Sequence, residues 1–150
     1  MPDENSARHK LPFLAVGQAQ KEITHNESLL IIDALLHPIV EAELGAPPTI
    51  SNGTQAGKCW LVSSTPSALW QGRAGHIAYW TGSGWRYFAP SEGMKVRNKA
   101  VFAELIRTAS SWIAPTPIAN PAGGTVIDIE ARAILASLLS QLRTAGVIGQ

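Results

Sequence analysis

Apolar positions along the chain fall into three patterns, and each predicts a different kind of element. From Leu29 to Leu36 the chain reads LLIIDALL, apolar at every position except Asp33. Ahead of it, Thr24 and Glu27 stand at capping-box spacing, which predicts a helix beginning at about His25. Pro38 closes the pattern, because it offers no backbone donor. So short and apolar a helix needs partners on most sides. Ile39 to Leu44 either prolongs it past a kink or forms a second short helix, and Gln18, Gln20, Lys21, Asn26 and Glu27 read as a capping and packing network that fixes the turn before it.

Between Lys58 and Ile113 the pattern changes to short aromatic and β-branched runs broken by Gly, Pro, Asn and Ser, the text of a small antiparallel sheet or barrel. Strands are expected near 58–63, 76–81, 85–89, 94–97, 100–106 and 109–113. Gly82-Ser83-Gly84 supplies the clearest hairpin turn, since glycine reaches the positive φ that tight connections need. A loop of two or of three residues fits equally, and a one-residue slip would exchange which of Tyr79 and Trp80 faces inward.

The third pattern follows a second linker, APTPIANPAGGT. Ala131, Leu135, Leu138, Leu142 and Ala145 alternate steps of four and three, and Ile134 with Leu139 widens the stripe. Asp128 is placed to cap this helix, Glu130 and Arg143 complement its dipole, and Gly146 reads as a left-handed stop with Val147 and Ile148 folding back. A helix of this length is marginal alone in water, so it either docks on its own β domain or bundles with copies from other subunits. The organisation expected is a disordered polar tail at 1–10, a helical segment at 11–45, a linker at 46–57, a small β domain at 58–113, a Pro/Gly linker at 114–125 and an oligomerisation helix at 126–150. This is an α+β chain, expected to be a homotrimer assembled through Leu30, Ile31, Leu35, Leu135, Leu138 and Leu142.

Composition narrows the function classes. The 150 residues carry a net charge of +1 with only 15% charged positions and no Lys/Arg cluster, which argues against nucleic acid, whose phosphates need concentrated positive charge. A low-charge surface instead suggests contact with other subunits. No run approaches the length of a membrane span, and the polar start lacks the apolar stretch of a signal peptide. Cytoplasmic synthesis without membrane insertion is the expectation. The lone Cys59 makes no internal disulfide and reads as a buried small hydrophobe.

Chemistry-bearing motifs are sparse. His9, His25, His37 and His76 are scattered, and the chain contains no zinc-ligand spacing, paired-carboxylate motif, nucleophile elbow or phosphate loop. No enzyme activity, metal or cofactor is therefore expected. The aromatic residues form the one notable set: Trp60, Trp70, Trp80, Trp85 and Trp112, with Tyr79, Tyr87, Phe88 and Phe102. They fill a small core, or some lie exposed and stack on sugars, with Trp70, Tyr79, Trp80, Trp85 and Arg86 as the candidate glycan-binding residues and Gln71 as a further hydrogen-bonding group. On a regular strand, adjacent Tyr79 and Trp80 cannot both point inward.

The opening block, Leu11-Pro12, Gln18-Ala19-Gln20-Lys21, Thr24, Asn26-Glu27 and Asp33-Ala34-Leu35, resembles the DUF2793 family of tailed phages, prophages and gene transfer agents of alphaproteobacteria. Ala46-Pro47-Pro48, Trp70-x-Gly72, Ile77-Ala78-x-Trp80 and Gly84-Trp85 through Pro90, Glu92 and Gly93 look like that family's continuation, so the resemblance spans about residues 11 to 113. The terminal helix is similar in style to those of phage tail-fibre and baseplate chains. These likenesses imply a virion component, a tail-fibre or baseplate adaptor that joins other tail proteins and touches a host-surface glycan, with no enzymatic role. The alternative is a carbohydrate-binding module using exposed Trp and Tyr residues.

Overall fold

A computed structural model describes residues 4–50, 55–125 and 127–149. Asn52 and Gly53 of the expected first linker, residues 1–3 of the expected tail, and Val126 and Gln150 at the ends of the expected helical segment lie outside the described residues. The chain forms two compact units, one ending at Pro90 and the other beginning at Ser91. The expected β domain at 58–113 is thus shared between them, and the N-terminal helix belongs with its first half.

In the first unit, helix α1 spans Lys21–Leu35. It starts about one turn earlier than the Thr24–Glu27 spacing predicts, and Gln20, in the left-handed region at φ 66, stands at its N-cap without a side-chain cap bond. The capping box is overridden because both its members are inside the helix, where Glu27 turns to Arg86 instead. Beyond α1 the chain is extended rather than helical. Strand β1 (Ile39–Val40) and β2 (Glu43–Leu44) are followed by β3 (Cys59–Val62), a single 3-10 turn at Ala68–Trp70, β4 (Ile77–Trp80) and β5 (Trp85–Phe88). The sheet order is β2-β3-β4-β5, with β2 parallel to β3 and the other pairs antiparallel.

The hairpin closes at Thr81, whose N–H donates to the Gly84 carbonyl at 3.0 Å, leaving Gly82-Ser83 at the tip. This sets Trp80 opposite Trp85 and Tyr79 opposite Arg86. Successive residues alternate faces, so Cys59, Leu61, Ile77 and Tyr79 share the side that meets α1, and Trp60, Val62, Ala78 and Trp80 share the other. All four residues of β3 are buried, which a sheet with one wet face would not allow. The expected choice between Tyr79 and Trp80 therefore does not arise: Tyr79 is sealed on the helix side, while Trp80 packs into the aromatic layer on the opposite side.

The second unit holds β6 (Lys95–Asn98), β7 (Ala103–Arg107) and β8 (Trp112–Ile113), an antiparallel meander, and helix α2 (Ile129–Ala145). Only the end of the expected 109–113 strand survives, because Thr108 and Ser111 close a turn, N–H to carbonyl at 2.8 Å. Helix α2 follows its sequence signals closely. The Asp128 carboxylate accepts from the Ala131 N–H at 2.8 Å, Glu130 occupies the first turn, and Arg143 the last. Gly146 sits at φ 72 with Val147 N–H returning to the Leu142 carbonyl at 3.0 Å, a Schellman-type stop. Ile148 folds back and is buried, whereas Val147 stays exposed.

Candidate functional site

Two arrangements stand out, a buried carboxylate in the first unit and an uncovered helix face in the second. The carboxylate is Asp33, the single charge in the apolar run of α1, and it is wholly buried. Ser6 Oγ donates to its Oδ1 at 2.7 Å, and the backbone N–H groups of His9 and Arg8 donate to Oδ1 and Oδ2 at 2.7 and 3.0 Å. The Tyr79 hydroxyl completes the set at 2.8 Å, with His9 Nδ1 at 3.2 Å. Burial is the strongest single influence on this group and opposes its charge. The donors from Ser6, His9, Arg8 and Tyr79 together outweigh it and hold the Asp33 carboxyl below its ordinary pKa. Burial, reinforced by the bond to Asp33, pushes the Tyr79 phenol up.

The residues gathered here overturn the expectation of disorder over 4–10. Ser6 is buried, and the Arg8 guanidinium donates to the carbonyls of Ala34 and His37 at 2.9 and 2.7 Å. Helix α1 has no basic residue in its own last turn, so Arg8 supplies the positive charge that its carbonyl end favours. Gly57, at φ 86, makes room for the same segment: a Cβ there would lie 2.8 Å from Arg8 Cγ. Cys59 lies 3.9 Å from Arg8, yet burial pushes its thiol up to about 12, so it is the inert core residue expected.

Although Ser6, His9 and Asp33 meet, their order does not build a nucleophile. Ser6 gives its proton directly to Asp33 and its Oγ accepts the Leu11 N–H at 2.9 Å, which leaves His9 no hydroxyl to activate. The arrangement is a clasp, and its chemistry is retention of the N-terminal segment. Asn26 extends it, bonding both the N–H and the carbonyl of Leu14 at 2.9 and 3.1 Å. That is the packing role expected of Asn26, whereas Gln18, Gln20 and Lys21 are exposed.

The fold gathers the glycan candidates Trp70, Trp80 and Trp85 into one packed aromatic layer and places Tyr79 on the opposite face of the sheet. Trp70 and Tyr79 are both 0% exposed and present no face to a sugar. Trp85 lies 5.2 to 5.4 Å from Trp80, Trp70 and Trp60, all in edge-on or tilted contact, so the indoles serve one another as filling. Arg86 is engaged with Glu27 through three bonds of 2.8 to 3.2 Å, and this pair holds the Glu27 carboxyl below its usual range. Two indole nitrogens, those of Trp70 and Trp80, are buried without a partner. A groove of about 1150 Å³ runs beside Arg86, between Phe13, Leu14, Asn26 and Leu30 on one wall and the Thr81–Ser83 tip on the other.

The oligomerisation candidates remain at the surface. On α1, Ile31 is exposed and Leu30 and Leu35 are half-buried. On α2 no residue is buried, and Leu135 and Leu138 are 47% and 52% exposed with Ile134 at 69%. Leu142 is half-buried. Among the described residues, no group of His, Cys, Asp and Glu is arranged to hold a metal, and no helix is long and apolar enough to cross a membrane.

Residues 25–113 match the model of a family described as protein of unknown function (DUF2793). No curated protein matches the chain.

Proposed function

We propose, for a chain that belongs to the DUF2793 family, that it is a self-assembling structural component of a phage-like tail. It serves as a fibre or baseplate adaptor, acts as a homotrimer in the virion, and is made in the bacterial cytoplasm. The observation that carries this reading is the apolar row on α2, which stays exposed in one chain although it has the spacing of a helix-bundle seam. An exposed row of this kind marks an interaction surface. The resemblance to tail-associated chains supplies the setting, in which neighbouring tail proteins and a host-surface glycan are the further partners.

Light scattering on the purified chain tests the assembly, with a mass near three times 16.0 kDa expected. A monomer at about 50 μM, a concentration at which even a micromolar complex would be largely formed, would remove it. Mass spectrometry of purified tail particles tests the setting, and absence of the chain from them would refute it. The carbohydrate reading retains only the half-buried Trp80 and Trp85. Binding of a polysaccharide that is lost in Trp80→Ala would favour it over the structural role.

A further inference from the structure

The segment before α2 does more than join two elements. It runs back along the helix from C-terminal to N-terminal end: Thr116 accepts the Gly149 N–H at 3.2 Å, Ile118 and Asn120 accept from the Arg143 guanidinium, and Gly123 accepts from Arg132. Arg132 and Arg143 are eleven residues apart, about three turns, and so project from one face. Between them on that face lie Ala136 and Leu139. Within α2, the half-buried residues are these four and Leu142, while the remainder are exposed. The Pro/Gly linker is therefore a strap fastened along one flank.

Leu135, Leu138, Leu142 and Ile134 fall outside the strap, on a sector roughly 100° wide by helical geometry. No ionisable side chain lies within it, and its four-three spacing is complementary to itself, so copies of the same helix fit it without a partner of particular charge. A helix of 17 residues is about 25 Å long. One narrow seam of that length falls well short of the ~800 Å² per partner of a standard interface. Contact with two neighbours uses the full width.

We propose that the strap at 116–124 guards one flank of α2, so that further copies of this chain dock only on the Leu135–Leu138–Leu142 sector and assembly stops at a small closed bundle. This rests on the self-assembly reading above. Releasing the strap would add Leu139 and Ala136 to the open sector and approximately double its width by the same geometry.

Adjacent residues provide the test, because Leu138→Gln and Leu139→Gln make the same chemical change on different flanks of one helix. Sedimentation equilibrium should show Leu138→Gln weakening assembly at least tenfold and Leu139→Gln leaving it unchanged. The double variant R132A/R143A should keep its helical circular dichroism and shift to larger, heterogeneous species. Equal losses in the two glutamine variants, or a double variant that stays at the wild-type mass or falls to monomer, would overturn the guard while leaving self-assembly standing. A wild-type monomer would overturn self-assembly itself.

Discussion

The hydroxyl of Tyr79 donates to the Asp33 carboxylate at 2.8 Å, joining β4 to α1 at the point where the N-terminal segment also fastens. One bond thus registers the helix on the sheet and explains why an aspartate sits in an apolar run. Removing the charge should loosen both. Asp33→Asn keeps the shape but weakens donors that now face a neutral amide, and a cost of about 2–4 kcal/mol is expected. Urea unfolding would measure it, together with faster proteolysis around residues 6–10. Unchanged stability would show the clasp to be dispensable.

The same group sets a pH dependence. Its folded pKa lies below the ordinary 3.8, so its contribution is fully present above that value and is lost as pH falls through the lower, folded pKa. The contribution of Asp33 to thermal stability should therefore be full and constant around neutral pH, and should fall away in acid below pH 3.8. In Asp33→Asn the acid slope should be shallower. An identical slope in both proteins would assign acid sensitivity to other carboxylates.

Trp70 separates packing from hydrogen bonding. Trp70→Ala should cost about 3–5 kcal/mol, because it empties the middle of the aromatic layer. Trp70→Phe also discards the unpartnered indole N–H, whose burial is itself unfavourable, and should cost clearly less. Chemical denaturation of both variants checks the order, and equal costs would mean that the ring volume phenylalanine restores does not stabilise this layer.

At Gly146 the backbone is at φ 72, and an added Cβ would meet the Arg97 guanidinium that now donates to the Ala145 carbonyl at 3.1 Å. Gly146→Ala should cost more than about 1 kcal/mol, because alanine is strained at this positive φ and its Cβ would displace the Arg97 guanidinium. Hydrogen exchange should quicken in the last turn of α2 and remain unchanged in its first turn.

Glu27 is expected to matter little by comparison. Its pair with Arg86 is nearly half exposed on both sides, and such pairs are worth about 0–1 kcal/mol. Glu27→Ala should fall in that range by urea titration, and a loss above about 2 kcal/mol would mean that the pair orients α1 on the sheet.

What was legible in the sequence follows from how local each signal is. The ends of α2 could be read because Asp128, Arg143 and Gly146 act on backbone groups within a turn of themselves. Strands β3 to β5 were legible from β-branched and aromatic runs. The Thr24–Glu27 box misled because its spacing is also that of two residues on one helical face, and the tertiary partner Arg86 is 59 positions away. The clasp escaped for the same reason: Ser6, Arg8 and His9 are polar and look like a tail until Asp33 and Tyr79 are in place. A single charge inside LLIIDALL was the signal that a partner existed.

The clasp also has a consequence for the order of events on the ribosome. Ser6, Arg8 and His9 emerge early, but the face they lock onto is incomplete until Tyr79 has been added, roughly 70 residues later. At about 5–20 residues per second the segment waits several seconds without its full seat. Nascent chains stalled before Tyr79 should leave it open to protease, and chains stalled well beyond the β4–β5 hairpin should protect it.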